Sequence, residues 1–154
     1  MSFPAVRGLW HRVGSCLFVL YLILLLFIVL WPSHVDDNAS GELVRYLLTL
    51  GQHRGVLPGW FGYAQLEWLA NVLMFVPGGF LLTLLVGPAR RLRIPLFLAL
   101  ASITIELLQL FLPERTSSIF DVLANTLGGL VGCFVGIAVL SVNSVAISRN
   151  NGQK

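Results

Sequence analysis

Six polar side chains stand out: Asn71, Glu106, Gln109, Asp121 and Asn125 because they fall within apolar stretches, and Arg115 because it lies in the short loop between two of them. Two are carboxylic acids, and a pair of acids can divide general-acid and general-base work on a bound substrate. Arg115 can meet an anionic group through charge-assisted hydrogen bonds. The amides of Asn71, Gln109 and Asn125 can hydrogen-bond a ligand or tie one helix to another. Helical spacing gathers these residues. Ser102, Glu106 and Gln109 fall on one helix face, and Asp121 and Asn125 are i, i+4 neighbours on another. Asn71 shares a third face with Phe75 and Gly78, and Pro77 can kink that helix between them. The spacing predicts a polar pocket walled by three helices, with Arg115 in the loop above it and the six residues as candidate ligand contacts.

Each candidate also has a structural use. Ser118-x-x-Asp121 fits a capping box, with Asp121 closing a helix N-terminus. Gln109, Asn125 and Asn71 can act as interhelical ties worth ~0.6 kcal/mol per bond. Arg115 can be an ordinary loop cation. Glu106 is the hardest to explain structurally. It lies six residues before Leu112, ~9 Å below that end of an apolar stretch. A carboxylate at such depth costs ~2.5–3.5 kcal/mol or more unless it is protonated, paired or solvated.

Other chemistries lack their residues. The chain has no P-loop, no His-Glu-x-x-His and no Gly-x-Ser-x-Gly. His11, His34 and His53 fall away from the polar cluster, so neither a metal site nor a cofactor is expected. Cys16 and Cys133 both lie within helical stretches, and no disulfide is expected. Asn38-Ala39-Ser40 matches a glycosylation sequon, which matters only in a secretory pathway that holds the transferase.

The elements that must position the cluster follow from composition. Of the 154 residues, 56% are hydrophobic and 11% charged, and the mean hydropathy is +0.84. Such a chain is solvated by lipid. Gly14–Trp31, Trp68–Val86, Ile94–Leu112 and Ile119–Val142 are each long enough for a hydrocarbon core of ~30 Å. A single membrane domain over 1–154 is expected: an all-α, polytopic four-helix transmembrane bundle. The first stretch follows Arg7, His11 and Arg12, as in a signal peptide, but it is too long and lacks a small-x-small cleavage site.

Sorting the charges by loop sets the orientation. Arg7, Arg12, Arg90, Arg91, Arg93, Arg149 and Lys154 fall on one side, without acidic company. Basic residues near helix ends resist translocation, so both termini and the Gly87–Arg93 connection are expected in the cytoplasm. The basic rim then meets anionic lipid head groups, not nucleic acid. In the long outer loop, Ser40 can cap a short helix and Gly51 can end it. Leu43, Tyr46, Leu47 and Leu50 would face the interface. Trp60, Phe61, Tyr63 and Trp68 then form an aromatic belt. Below Asn125, Gly128, Gly132 and Gly136 make a Gly-x-x-x-Gly ladder, a helix-packing face for the bundle or for a partner protomer in a homo-oligomer.

The run Asn71-Val72-Leu73-Met74-Phe75-Val76-Pro77-Gly78-Gly79, then Glu106-x-x-Gln109, Arg115, Asp121-x-x-x-Asn125-x-x-Gly128 and Gly132, resembles the VanZ-like family of bacterial membrane proteins. The likeness extends from about Glu67 to about Leu140. It implies a multi-pass protein of the bacterial plasma membrane with a role at the cell envelope. The family's namesake raises resistance to teicoplanin, a lipid-tailed glycopeptide antibiotic.

Pocket and resemblance together suggest a non-enzymatic protein whose outer-leaflet pocket binds an amphiphile, such as a lipid-linked cell-wall precursor or a lipoglycopeptide. Two rivals stand beside it. Glu106 and Asp121 could serve a membrane-embedded hydrolase or transferase acting on a lipid-linked substrate, or a buried Glu106 could carry protons in a small transporter.

Overall fold

Proline, glycine and capping residues decide where each helix starts and stops. The computed structural model describes residues 3–30, 39–86, 93–111 and 118–151, and the regular elements among them are helices. Helix α1 spans Phe3–Val29, α2 Ala39–His53, α3 Tyr63–Val86, α4 Ile94–Gln109 and α5 Ile119–Asn151. Pro95 occupies the first turn of α4, where its missing N–H costs nothing. At the start of α3, Gln65 Oε1 accepts the Gly62 N–H at 2.8 Å, one half of a capping box.

Helix α2 does not end at Gly51. It continues to His53 and closes in a Schellman motif centred on Gly55, whose φ of 70° suits glycine. The Val56 N–H donates to the Gly51 carbonyl at 2.9 Å and the Gly55 N–H to the Gln52 carbonyl at 3.0 Å. Gly51 has a different use: a Cβ there would sit 2.8 Å from Leu57 Cδ1, so the glycine makes room for Leu57 to fold back over the last turn. Helix α4 also differs from its apolar stretch, stopping at Gln109. The Phe111 N–H bonds the Leu108 carbonyl at 3.1 Å, a tightened last turn, as the chain nears Pro113.

Three helical segments are long and apolar enough to cross a membrane: Gly8–Val29, Tyr63–Val86 and Ile119–Val142. Helix α4 is apolar but, at 16 residues, shorter. Much of the apolar surface faces outward, including Leu20, Ile23 and Phe27 on α1, Phe97 on α4 and Phe134 on α5. In water such a surface would be an aggregation site; in lipid it is the solvent-facing side. The molecule is a helical membrane protein.

Helices α3 and α5 form the largest interface, and they run parallel with their backbones touching. A Cβ at Gly128 would strike the Val72 carbonyl oxygen, and one at Gly132 would strike the Val76 carbonyl oxygen. From the other side, a Cβ at Gly79 would strike the Gly129 carbonyl. Further along, Gly136 lies against Thr83, whose hydroxyl is tied to the Gly79 carbonyl at 2.8 Å. Helix α4 packs antiparallel to α5 through Leu98, whose side chain fills the space beside Gly129. Helix α1 packs antiparallel to α3: Gly14 lies beside Leu85, and Tyr21 fits the notch at Gly78. The Tyr21 hydroxyl donates to the Met74 carbonyl at 3.0 Å, close to Pro77, where the helix lacks an N–H donor.

Candidate functional site

The Gly-based contact between α3 and α5 brings their N-terminal ends together, and α4 adds its C-terminal end. Leu25 and Val29 of α1, Phe75 of α3 and Ile105 of α4 form a buried apolar cluster, joined by Met74. Above it opens a cavity of about 1000 Å³. Asn71, Glu106, Gln109, Asp121 and Asn125 all line it. Five of the six candidate ligand contacts therefore share one space; Arg115 lies outside the described residues.

Each polar wall residue is held by a specific partner. Asn71 Nδ2 donates to Asp121 Oδ1 at 2.9 Å, linking the third turn of α3 to the first turn of α5 across the cavity wall. The α5 N-terminus is capped by two helices at once. The Phe120 N–H donates to Ser118 Oγ at 3.2 Å, the local half of a capping box. The other half comes from α4, because the Ser118 N–H donates to Glu106 Oε2 at 2.9 Å. The position that the local pattern assigned to Asp121 is thus taken by Glu106, and Asp121 bonds Asn71. Glu106 is 5% exposed and sits beside the positive end of the α5 dipole, which favours an acceptor there. Its Oε1 makes no hydrogen bond among the described residues.

Gln109 reaches in the opposite direction. Its Nε2 donates to the Val29 carbonyl of α1 at 2.9 Å, satisfying one of the orphan carbonyls at that helix end. Deeper in, Asn125 Nδ2 donates to Ser102 Oγ at 2.9 Å, and Ser102 is fully buried. Asn125 is itself only 4% exposed, and its Oδ1 is buried without a hydrogen-bond partner. That oxygen is the one orphaned buried side-chain atom among the described residues.

Several wall residues were not legible as site residues. Phe27 of α1 and Phe120 of α5 join Trp60, Phe61, Tyr63 and Trp68, so the belt aromatics line the cavity and do more than mark a membrane interface. Helix α2 is tied to this wall, since Gln52 Nε2 donates to the Phe61 carbonyl at 3.0 Å and the Arg45 guanidinium lies over the Tyr63 ring at 5.8 Å. Ser102 lies behind this wall, one turn from Glu106 on α4, and its bond to Asn125 depends on the relative height of α4 and α5.

The cavity can accept hydrogen bonds at its polar inner end and stack apolar or ring-shaped groups against its outer wall. No curated protein matches the chain, and no solved structure does. The family model described as VanZ/LLP1 matches residues 18–140, a span that takes in the C-terminal part of α1, all of α2, α3 and α4, and α5 as far as residue 140, with every polar residue of the cavity inside it. The chain therefore belongs to the VanZ/LLP1 family and is a helical membrane protein of VanZ type.

Proposed function

We propose that this protein is a non-enzymatic component of the bacterial cell envelope whose cavity holds the polar head group of an amphiphile in the outer leaflet. A lipid-linked cell-wall precursor or a lipid-tailed glycopeptide of the teicoplanin type would be such an amphiphile. The observation that carries the reading is the single space of about 1000 Å³ in which a polar inner end meets an aromatic outer wall. That size suits a sugar-sized or larger head group. Arg115 sits in the sequence between α4 and α5, whose ends both line the cavity, and would meet an anionic group of the ligand.

In this reading the chain is one membrane domain with four crossings and both termini in the cytoplasm. The alternating directions of α1, α3, α4 and α5 support it, as do Arg12 and Arg93, which lie toward the helix ends away from the cavity. Helix α4 rises ~24 Å against a hydrocarbon core of ~30 Å; Arg93 at its start can snorkel to make up part of the difference. Helix α2 lies in the outer interface, since Leu43, Tyr46 and Leu47 form an exposed apolar stripe on it. The transporter rival finds little support below Asn125, where the α3 and α5 backbones touch at Gly128 and Gly132.

The hydrolase or transferase reading draws on a specific feature, the two acids Glu106 and Asp121 on one cavity. Incubating the purified protein with a radiolabelled lipid-linked precursor separates the two. Saturable binding with the head group intact supports the binding protein. Release or transfer of the head group, lost in Glu106→Gln, establishes the enzyme. Absence of both binding and turnover, for precursor and lipoglycopeptide alike, overturns the reading.

A further inference from the structure

The inner end of the cavity offers acceptors without donors to match. Asn125 spends its amide N–H on Ser102 and leaves Oδ1 buried and unpartnered. Glu106 lies one helical turn above Ser102 on α4, so its side chain and that of Asn125 are neighbours on the same wall. Glu106 spends Oε2 on the Ser118 N–H and leaves Oε1 without a bond among the described residues. Both residues line the cavity. A buried acceptor left unpaired costs about as much as a lost hydrogen bond, ~1–3 kcal/mol, so a ligand that brings a donor to it gains an advantage that one without a donor lacks.

We propose that Asn125 Oδ1 and Glu106 Oε1 form a donor-reading subsite, which selects amphiphiles whose head group carries N–H or O–H donors and rejects head groups that have none. This rests on the amphiphile-binding reading above and adds its selectivity. The donors come from an ammonium or from the hydroxyls of a polyol. The deepest part of the head group is then the donor, and any anionic part stays nearer the mouth. A quaternary ammonium has no N–H to give, and its methyl groups would cover Oδ1 without pairing it.

Lipids of identical acyl chains provide the test. Binding of the full-length protein in detergent is measured by native mass spectrometry for phosphatidylethanolamine, its N-methyl and N,N-dimethyl derivatives, and phosphatidylcholine, a series that removes the nitrogen-borne donors one by one. Affinity should fall along the series, by on the order of tenfold between its ends. Phosphatidylglycerol identifies the source: binding at least as tight as ethanolamine assigns the subsite to hydroxyls, and weaker binding assigns it to ammonium. Asn125→Leu should flatten the methylation series, whereas Asn125→Asp, which keeps an acceptor at that position, should retain it. Where Asn125→Leu does not fold, the series on the parent protein decides alone. Equal affinity for ethanolamine and choline lipids, or a series left intact by a folded Asn125→Leu, overturns the subsite while leaving amphiphile binding in place. Failure of all these lipids to bind overturns the subsite, and failure of the lipid-linked precursor and the lipoglycopeptide as well overturns both.

Discussion

A single methyl group at Gly132 should loosen the whole bundle. The Cβ of Gly132→Ala would lie 2.7 Å from the Phe80 nitrogen, where ordinary contact begins at 3.4 Å, and the Val76 carbonyl oxygen is nearer still. Both obstacles are backbone, so no side chain can rotate away, and α3 and α5 must separate. Clearing the Phe80 nitrogen alone takes about 0.7 Å, and an opening of that size already forfeits a quarter to a half of the attraction between facing atoms. The loss extends to the contacts at Gly79, Gly128 and Gly136, because the helices move as rigid bodies. We expect a cost at the upper end of the ~1–3 kcal/mol seen for overpacked interiors, which lowers the Tm of a chain this size by about 6–12 °C. Thermal unfolding in detergent measures it. Gly59→Ala is the control, since a Cβ there meets nothing within 4 Å, and should melt with the parent protein. Gly132→Ala melting together with Gly59→Ala would show that the α3–α5 backbone contact does not hold the fold together.

Gln109→Leu should destabilise the protein by ~1–3 kcal/mol in the same assay, because it leaves the buried Val29 carbonyl without its donor. Tyr21→Phe keeps the ring in the Gly78 notch and removes only the bond to the Met74 carbonyl, so its cost should be smaller, ~0.5–1.5 kcal/mol. Reporter fusions after Arg91 and at the C-terminus should score cytoplasmic, and a fusion near Gln52 external; an external C-terminus would break the four-crossing topology.

The elements most legible in the sequence were those with a local cause. The start of α5 at Ile119 follows from Ser118 as cap, and the end of α3 at Val86 coincides with the end of an apolar run. Hydropathy says less about where a helix stops outside lipid. Helix α5 continues past Val142 to Asn151, and α1 begins at Phe3, well before Gly14, because backbone hydrogen bonds do not require apolar side chains. Among the polar residues, helical spacing groups Ser102 with Glu106 and Asp121 with Asn125, but it cannot tell which faces meet. Pairings such as Ser118 with Glu106, Asn125 with Ser102 and Gln109 with the Val29 carbonyl depend on the relative height of two helices. That height is set by glycine contacts and by Leu98 against Gly129, which are tertiary. The role of Tyr21 is hidden in the sequence for a similar reason: one tyrosine in an apolar helix carries no periodic signal, although its hydroxyl needs a partner in lipid.

The most direct measurement of the central claim is native mass spectrometry of the protein extracted gently from its own membrane, with and without Glu106→Gln. That substitution keeps the shape of the side chain while removing its ionisable oxygen. The parent protein should carry a defined amphiphile at one copy per chain, and Glu106→Gln should carry it at greatly reduced occupancy while melting near the parent temperature. A parent protein that arrives bare, or a folded Glu106→Gln that retains the same amphiphile in full, would contradict the assignment of the cavity as a binding site.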